Sequence, residues 1–197
     1  MEHILNQLRS QVNDEDLNQI SQKVGVNKDD ARNGLESVVP ALLGALATNT
    51  SSPQGVEDLD HALTRDHDGS VLKNIHAYFK KPDTKKGEGI VNHVLGPTRP
   101  EVEGYISQKS GLKPKEIHNL FDIAAPVVLG FIGKEKKEKG LRPNETRRLV
   151  QQIAQESCQD SKIDFKEVKQ LISERSPVNT PRNNALKLLG GLFKRAA

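Results

Sequence analysis

Ile20-Ser21-Gln22-Lys23, inside ISQKVG (residues 20–25), returns as Ile106-Ser107-Gln108-Lys109 inside ISQKSG (residues 106–111). Without a gap, Gly25 falls on Gly111, Asn33 on Asn119, Pro40 on Pro126, Leu43 on Leu129 and Gly44 on Gly130. Backwards, Glu2 falls on Glu88, Ile4 on Ile90, Asn6 on Asn92 and Glu15 on Glu101, so every pair is 86 positions apart. Identities in one register over about 46 residues point to an internal duplication, the feature to seek before any element is assigned.

Each copy reads as three helices. A short one runs from Glu2 to about Ser10, or from Glu88 to about Leu95. The second carries Leu17, Ile20 and Val24, or Val102, Ile106 and Ser110, at helical spacing. Gly25 and Gly111 follow it, where a helix-terminating residue takes positive φ without a Cβ penalty. The third opens at Asn27, a good N-cap, or at Lys113-Pro114 with proline at the first helical position. Pro40 and Pro126 lie inside that third helix, so a kink or a break into two helices is expected in both copies.

Working outward, Ser52-Pro53 starts a connecting helix, Asp66 to Ser70 is a loop, and Val71 to Phe79 is helical. Lys80 to Gly89 (KKPDTKKGEG) reads as a mobile polar linker. Helices are expected from Pro143 through Cys158, from Asp164 to Glu174, and from Thr180-Pro181 onward, the last carrying Leu186, Leu188, Leu189, Leu192 and Phe193. No segment alternates with period two. The fold class expected is therefore all-α, with duplicated three-helix units, connecting helices and a C-terminal helical extension. Its divisions are repeat 1 over 1–50, connecting helices and linker over 51–87, repeat 2 over 88–140, and the extension over 141–197.

Twenty-nine basic against 26 acidic residues leave a formal charge of +3, without the one-sided excess of a dedicated nucleic-acid binder. Cys158 is the single cysteine, which excludes an intrachain disulfide and a multi-cysteine zinc site; a small buried residue is expected there. The N-terminus lacks the apolar run of a secretory signal. Val38 to Ala47, taken as the longest apolar stretch, is shorter than the roughly 20 residues of a membrane span. A cytoplasmic location is expected.

ISQKVG, ARNGL, VPALLGALA, SSPQG and RDHDGS, followed by GEGIVNHVLG, VEGYISQKSGL and APVVLGFIGKEKK, resemble the bacterial domain of unknown function 937 family from about Val12 to Lys139. The resemblance implies a compact helical bacterial protein with no catalytic residues to carry over. The final LLGGLFK (188–194) is similar to the tail of a related group of small helical proteins.

Asp66-His67-Asp68-Gly69-Ser70-Val71 is the one stretch with metal-loop character. In an EF-hand, carboxylates surround Ca²⁺ and a glycine permits the turn. With Gly69 in that place, Thr64 and Ile75 occupy the first and twelfth ligand positions, where carboxylates belong. Asp66 and Asp68 are thus weak metal candidates, and the favoured reading is an Asx turn in which Asp68 caps the helix after it. Asp160 to Glu167 (DSKIDFKE) lacks the glycine and is weaker still.

The helix–Gly–helix of each copy also has helix-turn-helix spacing. Copy one would offer phosphate Asp29 and Asp30 beside Lys28, and copy two Lys113, Lys115 and His118. Six histidines form no metal-spaced pair on one helix face, and no phosphate-binding or nucleophile motif occurs. The expected function is a non-catalytic protein-interaction or scaffolding module, acting on a protein partner or as a homo-oligomer. No cofactor is expected. The alternative is a nucleic-acid-associated protein using the second copy and the basic segment 134–148. Leu186, Leu189 and Phe193 share a helix face with Leu188 and Leu192 beside them and Lys187, Lys194 and Arg195 at its border. That tail is read as an interaction element and not a loose tail, docking onto its own bundle by the simplest reading, with pairing to another chain and contact with an anionic membrane as the alternatives.

Overall fold

The computed structural model describes residue 6 and residues 10–174. Helix starts among them follow from side chains that satisfy orphan backbone amides. Asn13 and Asp16 form a reciprocal capping box, Asp16 N donating to Asn13 Oδ1 at 2.9 Å and Asn13 N to Asp16 Oδ2 at 3.0 Å, which opens α1 (Asp14–Val24). Gly25 ends it at φ 86°, and Asn27 caps α2 (Lys28–Asn49) by accepting from Asp30 N at 2.8 Å. Ser52 opens α3 (Pro53–Arg65). A 3₁₀ turn (Ser70–Asn74) leads to α4 (Ile75–Lys80), and Asp83 opens α5 (Thr84–Leu95). A second 3₁₀ turn (Gly96–Thr98) runs into α6 (Arg99–Ser110), which ends on Gly111 at φ 79°. Then come α7 (Pro114–Lys139), α8 (Pro143–Gln159) and α9 (Phe165–Glu174). No strand occurs among the described residues, so the architecture is all-α.

The two long helices α2 and α7 form the centre. Gly34 lets them close on each other: a Cβ there would lie 2.3 Å from Leu120 Cδ1. Val38, Leu42 and Leu43 of α2 meet Leu120, Phe121 and Ile132 of α7 in one core of fully buried side chains. Helices α1, α6, α8 and α9 pack on α2, while α3, α5, α6 and the first 3₁₀ turn pack on α7. Helix α7 is the one described helix long and apolar enough to cross a membrane by length and composition, and 83% of its apolar window is buried inside the fold.

One expectation, the linker, is corrected and two are narrowed. Neither long helix breaks at its proline: α2 runs through Pro40 and α7 through Pro126. A proline removes the hydrogen bond to the carbonyl four residues back. At Pro126 that carbonyl is Asp122 O, against which Gly87 of α5 packs so closely that a Cβ would sit 1.7 Å away. Tertiary packing on both sides holds the helix together. The expected linker is mostly helix, since α5 begins at Thr84 and buries Gly87 and Val91. The stretch from Val71 to Phe79 is divided, because the Asn74 side chain accepts from Ala77 N and restarts the chain as α4. The helices expected before Ser10 and after Thr180 lie outside the described residues, apart from helical turns at Asn6 and Ser10.

Candidate functional site

The Asp66–Ser70 loop rests on α7 at a lane of small residues spaced one turn apart, Pro126, Gly130 and Gly133. A Cβ on Gly133 would meet His67 O at 1.7 Å, and one on Gly130 would meet Val71 Cγ1 at 2.5 Å. Gly69 stands at φ 91°, with Lys134 Cβ 2.7 Å from where its own Cβ would be. Only glycines permit this seat from both sides.

Within the loop, Asp68 Oδ1 accepts from Ser70 N at 3.1 Å, which is the Asx turn. Its other oxygen takes Lys137 Nζ at 3.1 Å. The Lys137 ammonium, and after it the Ser70 amide, lowers the Asp68 carboxyl to about 2. Asp66 closes α3 through its amide, and its carboxylate lies 3.8 Å from Arg65. The two residues at the end positions of an EF-hand are engaged elsewhere: Thr64 Oγ1 donates to Asp60 O at 2.7 Å, and Ile75 is in the core. Among the described residues no three His, Cys, Asp or Glu side chains are grouped to hold a metal ion. In the weaker stretch, Asp164 Oδ1 accepts from Lys166 N at 2.6 Å and Glu167 N at 3.3 Å, opening α9.

Beside the loop is a cavity of about 230 Å³, bounded by the loop, α5 and Pro126. His67 lines it and is 9% exposed. Burial, then Lys86, lowers its imidazole to about 4, so the ring is neutral at physiological pH. Tyr78 forms another wall. Its hydroxyl donates to Ile123 O at 2.9 Å, and burial pushes its pKa up. Lys86 Nζ reaches Asp66 O at 3.4 Å, while Asp83 Oδ1 accepts Lys86 N at 2.9 Å.

Sequence reasoning missed a second polar cluster. Arg99, 6% exposed, donates from Nε to Glu103 Oε1 at 2.6 Å, from one terminal nitrogen to Asn92 Oδ1 at 2.8 Å, and from the other to Asp122 Oδ1 at 2.7 Å. His118 bridges the carboxylates, Nδ1 to Glu103 Oε1 at 2.9 Å and Nε2 to Asp122 Oδ2 at 3.5 Å. Burial raises the Asp122 carboxyl against the opposing pull of Arg99. The guanidinium occupies the centre a metal would need, and its fork is spent on three acceptors. The available signal was spacing: Arg99 with Glu103 and His118 with Asp122 are both i, i+4 pairs. Elsewhere, buried Asp16 takes His76 Nδ1 at 2.7 Å.

A family model described as "Bacterial protein of unknown function (DUF937)" matches residues 6–135. The chain belongs to this family. No curated protein and no solved structure matched it. The match to the DUF937 model takes in the loop, the cavity and the Arg99 cluster, and stops within α7. The basic run that begins at the end of the match in this DUF937 protein is largely ion-paired. Lys136 meets Asp60 at 3.1 Å, Lys134 meets Glu138 at 3.9 Å, Lys139 meets Glu135, and Arg142 meets Glu145 at 3.2 Å. Of the side chains copy two would offer to DNA, Lys113 pairs with Glu116 at 3.5 Å and His118 is held in the Arg99 cluster. Cys158 lies 7% exposed with Sγ 3.8 Å from Pro40 O, and burial pushes the thiol up to about 12.

Proposed function

We propose that this DUF937 protein is a non-catalytic helical module of the cytoplasm that works by binding, either to a protein partner or to another copy of itself. The carrying observation is the mutual pairing of the charges buried around Arg99. Arg99, Glu103, Asp122 and His118 satisfy one another, and the only thiol is protonated and aimed at a carbonyl. A catalytic centre at either of these two places would need a nucleophile or base held open toward a substrate. An interaction role is supported by the sequence pattern alone, Leu186, Leu189 and Phe193 at i, i+3 and i+7 with Lys187, Lys194 and Arg195 between and after them. The nucleic-acid reading is disfavoured by the carboxylates already paired with the 134–142 cations.

The duplication is part of the same proposal. Supporting it, Gly25 and Gly111 both end helices in the left-handed region, the next helices start at Lys28 and Pro114, and each contains its proline, all at the offset of 86.

Deleting residues 180–197 tests the interaction role, with mass from light scattering and the thermal midpoint as readouts. A smaller assembly with an unchanged midpoint supports it. A monomer of unchanged mass with a lowered midpoint assigns the segment to the protein's own bundle and overturns self-association through it.

A further inference from the structure

We propose that the cavity beneath the Asp66–Ser70 loop binds a small zwitterion with the charge pattern of an α-amino acid. The first ground is His67. His67 is 9% exposed and lines the cavity, yet neither ring nitrogen makes a hydrogen bond to the protein. Held neutral by burial and by Lys86, it offers one N–H donor and one bare acceptor to whatever enters.

Charge narrows the class. Lys86 lines the cavity with three ammonium donors and a single long contact, 3.4 Å to Asp66 O. Asp66 and Asp83 line it as well, Asp83 with one oxygen engaged by Lys86 N. A bare anion would meet two carboxylates, and a bare cation would meet the ammonium. A molecule carrying both signs a few ångströms apart satisfies both. Val71, Pro126 and the Tyr78 ring, whose hydroxyl is already committed to Ile123 O, are apolar walls beside Ser70. They suit a short side chain.

Size and rigidity agree. A volume of about 230 Å³ has room for a small amino acid. Gly130 and Gly133 hold the loop against α7, so the cavity is formed before a ligand arrives.

Titration calorimetry of the full chain tests this, with each common amino acid as probe and acetate and methylammonium as half-charge controls. At least one amino acid should bind saturably below about 10 mM, and neither control should match it. Lys86→Met should weaken that binding about tenfold or more while the thermal midpoint holds, because a charge-assisted hydrogen bond is lost from an exposed residue. His67→Leu should weaken it similarly. Saturation by acetate alone at equal affinity, no saturable probe, or binding that survives Lys86→Met would each overturn the assignment. Lys86→Met keeps the test decisive if His67→Leu does not fold.

Discussion

Helices α2 and α7 share one layout and keep different company. Each carries an internal proline with a glycine one turn later, Pro40 and Gly44 in one, Pro126 and Gly130 in the other. On α2 this strip is covered by apolar side chains. A Cβ on Gly44 would lie 3.2 Å from Val168 Cγ1 and 3.5 Å from Phe165 Cδ2 of α9. On α7 the strip is covered by backbone: His67 O presses on Gly133, and the loop leaves a cavity with an unbonded imidazole beside Pro126. A smooth strip on a helix thus admits either a helix or a loop. A covering helix completes an apolar core. A covering loop brings polar groups into partial burial, which is where recognition chemistry collects.

The largest effect should separate the charged surroundings of the two helices. Arg99→Met leaves Glu103 and Asp122 buried without their cation and should cost about 3 to 5 kcal/mol in denaturant unfolding. Arg32→Met on α2 removes only exposed contacts to Asp14 and Asp29 and should cost under about 1 kcal/mol. Equal losses would erase the distinction.

The loop side should also be the pH-sensitive one. The folded His67 pKa of about 4 lies below the ordinary histidine value of 6.5. As pH falls through that window the unfolded chain gains a proton the folded one does not, so stability should drop on acidification from 6.5 to 4. The contribution is on the order of 3 kcal/mol as an upper bound. Replacing His67 with glutamine should flatten that part of the stability–pH curve; an unchanged slope would assign it to other groups.

The glycines give the smallest and most direct comparison. Gly133→Ala drives a methyl into a carbonyl and should destabilise by about 1 to 3 kcal/mol. Gly44→Ala meets only the tip of Val168, and the helix-propensity gain of about 1 kcal/mol offsets the crowding, so its midpoint should move little. Thermal unfolding of the two variants side by side reads this out.

Much of the architecture was legible because local chemistry decided it. Asn27, Ser52-Pro53, Lys113-Pro114 and Pro143 start helices where their capping chemistry says, and Gly25 and Gly111 end them at positive φ. The failures were decided at a distance. KKPDTKKGEG reads as linker by composition, but Gly87 is needed against Asp122 O, and that contact makes Thr84–Leu95 a packed helix. The prolines read as a kink or a break because the neighbours that sustain α2 and α7 are far away in sequence. In the candidate site, the Asx turn at Asp68 was legible from DHDGS alone. The burial of His67 was not, since it depends on Gly130 and Gly133 more than sixty residues later. The Arg99 cluster left its i, i+4 spacings in plain view, but nothing local says that Arg99 and Asp122 face each other. The Leu186–Phe193 element lies outside the described residues.

Cys158 gives this chain an internal stopwatch. Its thiol is the only one in the protein, lies against Pro40 O where α8 meets α2, and stays protonated far above neutral pH. A disulfide reagent attacks thiolate and not thiol, so it will stay idle until α8 lifts and the sulfur meets water. The labelling rate of the unaltered protein therefore counts how often that one seam opens, without an introduced probe.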